Sequence, residues 1–247
     1  MSIDLNKLKT IAKTHKTVAS GYLNHIKSNV NKYKIREGDN HIRILPPVDK
    51  DDFWGFDIKI HYNVGDNKGS IICNRYLHKQ QCPLCDEYDK ARKKNDEALS
   101  LLYKPAKRCL VWVLDLKDPS KGVLILDAPS SLIDEILLHS ESKKTHEIID
   151  VSHPTLGREI WFERSGTGKL TEYKNIQIDT EPAPIESHIL AKIKPFTEVI
   201  INRTYEELKQ EIYGTSSVKS DIDKGLDPEL EDDDLEIDNI KNKFSKL

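Results

Sequence analysis

The chain has 247 residues, of which 37% are apolar and 32% charged, so it can hold one substantial domain with extensions. No apolar run approaches the roughly 18 residues of a membrane helix, and residues 1–7 lack the apolar stretch of a secretory signal. We therefore expect a cytoplasmic protein without a membrane partner, in a reducing compartment where thiols stay free.

The formal net charge of −3 conceals an asymmetry. Residues 221–247 carry ten acids and four lysines, a balance of −6, so the first 220 residues total +3. Basic residues outnumber acids by seven to two between residues 90 and 108. A basic body with an acidic tail indicates a polyanion-binding surface and a tail that competes for it or recruits partners. A solvated surface with a solubilising tail is the plain alternative.

Residues 1–30 predict a basic N-terminal arm. Leu5, Leu8 and Ile11 have helical spacing, and five lysines stand against the single acid Asp4. This segment would contact a neighbouring protomer or nucleic acid, or else form a frayed surface helix.

From residue 33 the pattern becomes β. Alternating apolar residues predict strands that are interrupted by prolines, glycines and two capping boxes, at Ser131 and Thr204. The sequence therefore predicts a mainly β chain with α additions (α+β), organised as an OB-fold-like small β-barrel over residues 31–214, with a disordered acidic tail at 215–247. The predicted strands are 41–45, 56–61, 107–116, 123–126, 159–164 and 171–178, and a helix is predicted at 86–102.

Four residues have the spacing of a zinc site: His61, Cys73, Cys82 and Cys85 follow the pattern H-x11-C-x8-C-x2-C. Two thiolates three residues apart, a third thiolate and an imidazole complete a tetrahedron around Zn²⁺. A filled shell leaves no position for a substrate, so the site would be structural, within a zinc subdomain at about 61–104. Disulfides in three possible pairings or a Cys-x-x-Cys redox pair are the alternatives, and His78 could replace His61.

The fourth cysteine and the remaining motifs do not suggest an enzyme. Cys109 lies in an apolar strand and is interpreted as a small buried hydrophobe. The stretch 166–169 lacks the first glycine and the helix of a phosphate-binding loop, so it is interpreted as a hairpin turn. The chain has neither the His-x-Glu of a zinc deaminase at His61 nor a Gly-x-Ser-x-Gly elbow. We therefore expect a non-enzymatic protein, with a metal-dependent nuclease as a rival.

Aromatic and basic residues interleave around the cysteines, as expected where bases stack on rings and cations contact phosphates. Trp54, Tyr76 and Tyr173 have polar neighbours and are predicted on the surface, whereas Trp112 stands between valines. The candidate nucleic-acid contacts are Arg43, Trp54, Lys59, Arg75, Tyr76, Tyr103, Lys107, Arg108, Trp112 and Tyr173.

These residues resemble the zinc-containing single-stranded DNA-binding proteins of tailed bacteriophages, the gene 32 type. The resemblance covers about residues 41–120 and continues more weakly through Tyr173. The matching motifs are Ile42-Arg43-Ile44-Leu45-Pro46, His61, Cys73, Cys82-Pro83-Leu84-Cys85, Lys107-Arg108 and Lys117-Asp118-Pro119.

The resemblance implies an OB-fold cleft bordered by the zinc subdomain, with one structural Zn²⁺ on His61, Cys73, Cys82 and Cys85. It implies sequence-independent binding of single-stranded DNA in phage replication, recombination and repair, inside the host bacterial cytoplasm. The acidic tail would recruit replication and recombination proteins, and the arm would support self-association on DNA. The arm lacks a Lys/Arg-Lys-Ser cluster, and the chain ends in a basic segment at 241–247. A zinc-containing accessory factor of a phage polymerase or transcription machinery is the alternative.

Overall fold

The computed structural model describes residues 25–48, 53–64, 69–141 and 146–213, except the side chain of Lys169. Most of the predicted arm, residues 1–24, and the whole predicted tail, 215–247, lie outside the described residues. In the described part of the chain, no helix is long and apolar enough to cross a membrane.

Over its described residues the chain is α+β, with seven strands in an antiparallel, unclosed sheet and several helices. The strands are β1 (Gly38–Ile44), β2 (Gly55–Val64), β3 (Gly69–Ile72), β4 (Ala106–Asp115), β5 (Val123–Pro129), β6 (Arg158–Ser165) and β7 (Glu172–Pro182). The helices are α1 (Asn74–His78), α2 (Pro83–Lys93), α3 (Glu97–Tyr103), α4 (Ser130–Ser140), α5 (Ser187–Leu190), α6 (Phe196–Val199) and α7 (Tyr205–Tyr213). Two 3₁₀ turns occupy Pro119–Lys121 and Gly168–Leu170.

The prediction of a mainly β chain with helical additions is confirmed at the level of α+β. The single helix predicted at 86–102 is wrong, because a turn in which Asn95 has a φ of 53° separates α2 from α3. Asparagine tolerates this left-handed conformation better than most residues. The capping box at Thr204 is confirmed, since its hydroxyl accepts from Glu207 N–H and its own N–H donates to the Glu207 carboxylate. The box at Ser131 is wrong, because the N-cap residue of α4 is Pro129, two residues earlier, and no side chain caps the helix.

The chain divides into two compact units. The sheet unit comprises Ser28–Asp57 and Arg108–Val199 within the described residues, and the cluster unit comprises 25–27, Ile58–Lys107 and 200–213. The cluster unit therefore extends beyond the predicted zinc subdomain at 61–104.

In the sheet unit, β1 pairs with both β4 and β6, β4 pairs with β5, and β6 pairs with β7. The apolar face of this sheet is covered by α4. Its buried residues Leu132, Ile133, Ile136 and Leu137 recur at helical spacing, which confirms the predicted stripe. Cys109 is buried in the same core, as predicted, and burial raises the pKa of its thiol.

In the cluster unit, β2 and β3 form a hairpin in which His61 is opposite Ile71. The chain then continues into α1, α2 and α3. Residues from both ends of the described chain join this unit, because Ile26 forms a β-bridge with Ile200 and the ring of His25 bonds Ser70 Oγ at 3.0 Å.

Candidate metal centre

His61, Cys73, Cys82 and Cys85 form a buried cluster that could hold a metal ion. Each offers one ligand atom, and these four atoms lie within 4.8 Å of one another. All four residues are at most 5% exposed. The described chain carries them on three separate elements, β2 and the starts of α1 and α2, so the fold brings together residues that are up to 24 positions apart.

The local sequence explains how the sulfurs are presented. Cys73 and Cys82 are the N-cap residues of α1 and α2, and both have extended backbone conformations that precede a helical turn. Pro83 occupies the first position of α2, where its fixed φ favours a helix start. The first turn then brings the Cys85 side chain back beside Cys82. A helix N-terminus also favours a thiolate at Cys82.

A hydrogen bond to the backbone sets the orientation of the His61 ring. Its Nδ1–H donates to the carbonyl oxygen of Tyr103 at 2.9 Å, which leaves Nε2 facing the sulfurs. Metal-binding histidines usually make such a bond with their other nitrogen. The alternative ligand, His78, is not in the cluster; its Nε2 lies 3.2 Å from the Asn202 side-chain oxygen. The structure therefore selects His61 over His78.

The two distances from His61 to the sulfurs fit tetrahedral zinc, whereas the Cys73 and Cys85 sulfurs lie about 0.5 Å closer together than zinc would hold them. Zn–S bonds of about 2.3 Å and a Zn–N bond of about 2.05 Å place sulfur and nitrogen about 3.6 Å apart and two sulfurs about 3.8 Å apart. His61 Nε2 lies 3.6 Å from Cys82 Sγ and 3.5 Å from Cys85 Sγ, and the Cys73 and Cys85 sulfurs are 3.3 Å apart. All four cysteines are free thiols, so the disulfide alternative is not realised in this structure.

Without a metal, the electrostatics of the cluster favour a single thiolate, at Cys82, and keep protons on Cys85 and His61. Hydrogen bonds to Cys73 and Cys85 lower the pKa of Cys82 against the effect of burial. Once one thiolate has formed, hydrogen bonds to Cys73 and Cys82 raise the pKa of the Cys85 thiol. Burial lowers the pKa of His61, but hydrogen bonds to Cys73 and Cys82 outweigh it and raise the pKa to about 9. A divalent cation would replace these shared protons and stabilise three thiolates together.

The sequence did not predict that α7 contributes to the cluster. Leu208 of α7 is fully buried against the cysteines, together with Val64, Ile71 and Leu84. Asn74 Nδ2 donates to the Arg203 carbonyl at 2.7 Å, and the Tyr213 hydroxyl donates to Glu87 at 2.9 Å. Only the buried face of α7 could have indicated this, and a short apolar stripe does not say which surface it covers.

Three residues predicted to contact nucleic acid lie inside the sheet unit. The expected surface placement of Arg43 and Trp54 is wrong, and Trp112, which stands between valines, lies in the core. Arg43 is 2% exposed, and its guanidinium donates to the backbone carbonyls of Ile44, Val151, His153 and Ala183. The four carbonyls compensate the buried charge and hold two distant loops. The indoles of Trp54 and Trp112 are also buried, and Trp112 Nε1–H donates to the Lys194 carbonyl at 2.9 Å.

Two further predicted contacts already bind carboxylates. Arg75 donates to Asp89 at 2.7 Å and to Asp86 at 2.8 Å, so it holds α1 to α2. Arg108 Nε donates to the Asp127 carboxylate at 2.7 Å, and that carboxylate is almost fully buried. These guanidinium groups compensate protein charges and are weak candidates for phosphate contacts.

The structure brings two of the predicted contacts together and adds a third. In the cluster unit, Lys59 Nζ lies 4.7 Å from the centre of the Tyr76 ring, and Lys79 Nζ lies 5.6 Å from it. Lys79 ends α1 with a φ of 55°, a left-handed conformation for which lysine gives no sequence signal. Of the other candidates, Lys107 is exposed, whereas Tyr103 and Tyr173 are half-buried and pack on the cores of their respective units.

Comparison with known proteins adds no assignment. No protein-family model matches the chain, and a search of curated proteins finds no relative. The candidate site is therefore interpreted from its own chemistry.

Proposed function

We propose that this protein binds single-stranded DNA without sequence preference and is not an enzyme. In this proposal His61, Cys73, Cys82 and Cys85 hold one structural Zn²⁺. The strands follow an OB-fold-like plan, and the protein acts in phage replication, recombination and repair in a bacterial cytoplasm. The resemblance of residues 41–120 to the phage proteins motivates the biological setting.

The observation that carries the proposal is the Tyr76 ring with two lysine ammonium groups within 6 Å. A flat ring provides a stacking surface that accepts any base, and adjacent ammonium groups attract the phosphates on either side of that base. In the absence of DNA, cation–π attraction holds Lys59 and Lys79 near the ring. A base that stacks on Tyr76 would displace an ammonium group toward its own phosphate.

Zinc would position this surface without touching DNA. Lys59 is two residues before His61 on β2, and Cys73 N–H donates to the Lys59 carbonyl at 2.8 Å. Tyr76 lies one helical turn after Cys73 on α1. When bound, zinc would link β2, α1 and α2 through its ligands and hold them in a fixed arrangement.

The partners beyond DNA remain proposals from the sequence. The acidic residues 221–247 would recruit replication or recombination proteins, and residues 1–30 would support self-association on DNA. Apart from residues 25–30, these segments lie outside the described residues.

A fluorescence titration with oligo-dT, at two salt concentrations and with duplex of the same length as competitor, tests the proposal. Tyr76→Leu keeps apolar packing but removes the ring, and should weaken oligo-dT binding by about fivefold to a hundredfold, since stacking contributes about 1–3 kcal/mol. Tyr76→Phe should bind nearly as well as the wild type. Lys59→Gln and Lys79→Gln should each lower the salt dependence by about 0.7 log units per log unit of salt.

Lys90→Gln is the matched control, because Lys90 is an exposed lysine of the same unit whose Nζ lies 3.0 Å from Glu87. If Lys90→Gln and Lys79→Gln lost equal affinity for oligo-dT, the loss would be explained by the change in net charge and not by a contact beside Tyr76. Equal, weak affinity for oligo-dT and duplex would support the accessory-factor alternative. Cleavage of labelled strands with Mg²⁺ or Mn²⁺ would support the nuclease alternative.

A further inference from the structure

The sheet unit carries an exposed tryptophan that the DNA-binding proposal does not use. Trp161 on β6 is 40% exposed, although its neighbours Ile160 and Phe162 are buried in the core. Its indole stacks on the His41 ring of β1, with centroids 3.5 Å apart and an angle of 15° between the planes. The Glu159 carboxylate lies 2.6 Å from His41 Nε2, so the ring beneath the indole is itself fixed.

A cavity of about 210 Å³ opens beside this indole. The acidic residues Asp39 and Glu163 line it together with Trp161, and its other lining residues are Asn40, Phe162, Asn175 and Gln177. Asn175 has a φ of 53° at a register shift between β6 and β7, and its Nδ2 donates to Glu163 at 2.8 Å. Such a β-bulge redirects a side chain, here onto the carboxylate.

The charges around the cavity indicate the sign of the ligand. Among the described residues that line it, two are acidic and none is basic. Three basic residues lie near the cavity without lining it. Lys174 is opposite Glu163 and interacts with it, but its Nζ lies 2.5 Å from Glu172. Arg164 lies 3.3 Å from Glu37, and Lys117 Nζ donates to the Asp39 carbonyl at 2.8 Å. A phosphate-bearing ligand would be repelled here, whereas a cation would be attracted.

We propose that this cavity binds an arginine side chain in a basic segment of a partner protein. A guanidinium group is flat and stacks on an indole face, and its fork of donors matches two carboxylates and two amide oxygens. A lysine ammonium group has neither the flat face nor the fork. Residues 1–24 and 214–247 of this chain contain lysines but no arginine, so the occupant is assigned to another protein.

The full-length protein, labelled with ¹⁵N, tests this directly. The indole N–H signal of Trp161 reports on the cavity, and the buried Trp54 and Trp112 indoles serve as internal references. The probes are a blocked Gly-Gly-Arg-Gly-Gly peptide, the same peptide with lysine, and oligo-dT. We expect the arginine peptide to shift the Trp161 signal saturably and to bind at least about fivefold more tightly than the lysine peptide.

Glu163→Gln keeps an oxygen that can accept the hydrogen bond from Asn175 but removes the negative charge. It should lower the affinity for the arginine peptide by about tenfold. Glu135→Gln, on the exposed surface of α4, is the matched control and should leave the affinity for the arginine peptide unchanged. Equal affinity for the two peptides, no saturable shift, or an unchanged affinity in Glu163→Gln would overturn the proposal. A Trp161 shift caused by oligo-dT and not by peptide would reassign the cavity to a nucleobase.

This inference does not rest on the proposed function. Failure of oligo-dT binding elsewhere on the protein would leave the arginine response intact. Loss of the arginine response would leave the predictions for Tyr76 intact.

Discussion

Removal of the metal should unfold the cluster unit while the sheet unit stays folded. In the cluster unit, the apolar core that holds α7 contains only four buried aliphatic residues, and three cysteines make up the rest of its buried members. Apparent zinc affinities of about 10–16 kcal/mol in small structural sites are comparable to the whole stability of a domain, about 5–15 kcal/mol. The sheet unit has its own, larger apolar core around α4, which contains no ligand of the cluster.

Hydrogen exchange measured by mass spectrometry, with and without a chelator, resolves the two units. A loss of only about 5 kcal/mol in the free energy of unfolding would lower amide protection by a factor of about 10³–10⁴. We expect the cluster unit to lose more stability than this when zinc is removed. We expect this loss in residues 58–64, 69–107 and 205–213, and little change in residues 108–141 and 158–182. The helix α7 is the informative segment, because it is remote in sequence and is attached through Leu208.

Two cysteine variants make the comparison specific. Cys82→Ser should lose zinc and reproduce the effect of the chelator. Cys109→Ser, the same change at a buried cysteine of the sheet unit, should keep one zinc per chain and lower stability by about 1–3 kcal/mol through a buried hydroxyl. Zinc retained by Cys82→Ser, or full protection of α7 after chelation, would refute the reasoning.

Two further predictions concern the sheet unit. Burial tends to raise the pKa of Asp115, but its hydrogen bonds with Arg36 lower it overall. The folded pKa therefore lies below the unfolded value of about 3.9. The ionised Asp115 stabilises the folded state above about pH 3.9, and this stabilisation is lost as the pH falls through the folded pKa. The stability difference between wild type and Asp115→Asn, measured by urea denaturation, should therefore narrow below about pH 4, and a constant difference from pH 6 to pH 2.5 would contradict this assignment. Gly166→Ala should destabilise the β6–β7 hairpin by about 1–3 kcal/mol in thermal unfolding, because φ is +76° and a Cβ would lie 2.1 Å from the Leu170 carbonyl oxygen. Gly122→Ala, with a φ of +65° and nothing within 4 Å of its Cβ, should cost less, and equal losses would show that φ alone accounts for the effect.

Local patterns in the sequence predicted most of the strands and the cluster. Alternation located six of the seven described strands and missed the short β3. Helical spacing identified the buried stripe of α4, and the cysteine spacing identified four residues that the fold brings together. These features depend on periods of two and 3.6 residues or on ligand chemistry, which are encoded within short segments. The same period of two could have identified Trp161, because buried neighbours on both sides place it on the opposite face of β6.

The interior position of Arg43 could not be predicted in this way. Alternation places it on the face opposite Ile42 and Ile44, where a charged residue is expected to meet solvent. It is buried because carbonyls from residues 151, 153 and 183 converge on its guanidinium, and no local pattern specifies that convergence. Trp54 was misplaced for a similar reason, since polar sequence neighbours say little about a side chain that points into the core.

The positions of the groups that carry the DNA-binding proposal make zinc and DNA binding interdependent. Lys59, Tyr76 and Lys79 are each two or three residues from a cluster ligand. Lys59 is on β2, Tyr76 is in the middle of the short helix α1, and Lys79 ends that helix. A five-residue helix is not stable alone in water, so α1 depends on Cys73 at its start for its position. Chelation should therefore weaken oligo-dT binding at least as much as Tyr76→Leu does, and Tyr76→Leu should cause little further loss in the chelated protein. The arginine peptide should still shift the Trp161 signal after chelation, since that cavity lies in the sheet unit. Independent, additive effects of chelation and Tyr76→Leu would mean that the ring acts without the cluster, and the proposed role of zinc would have to be abandoned.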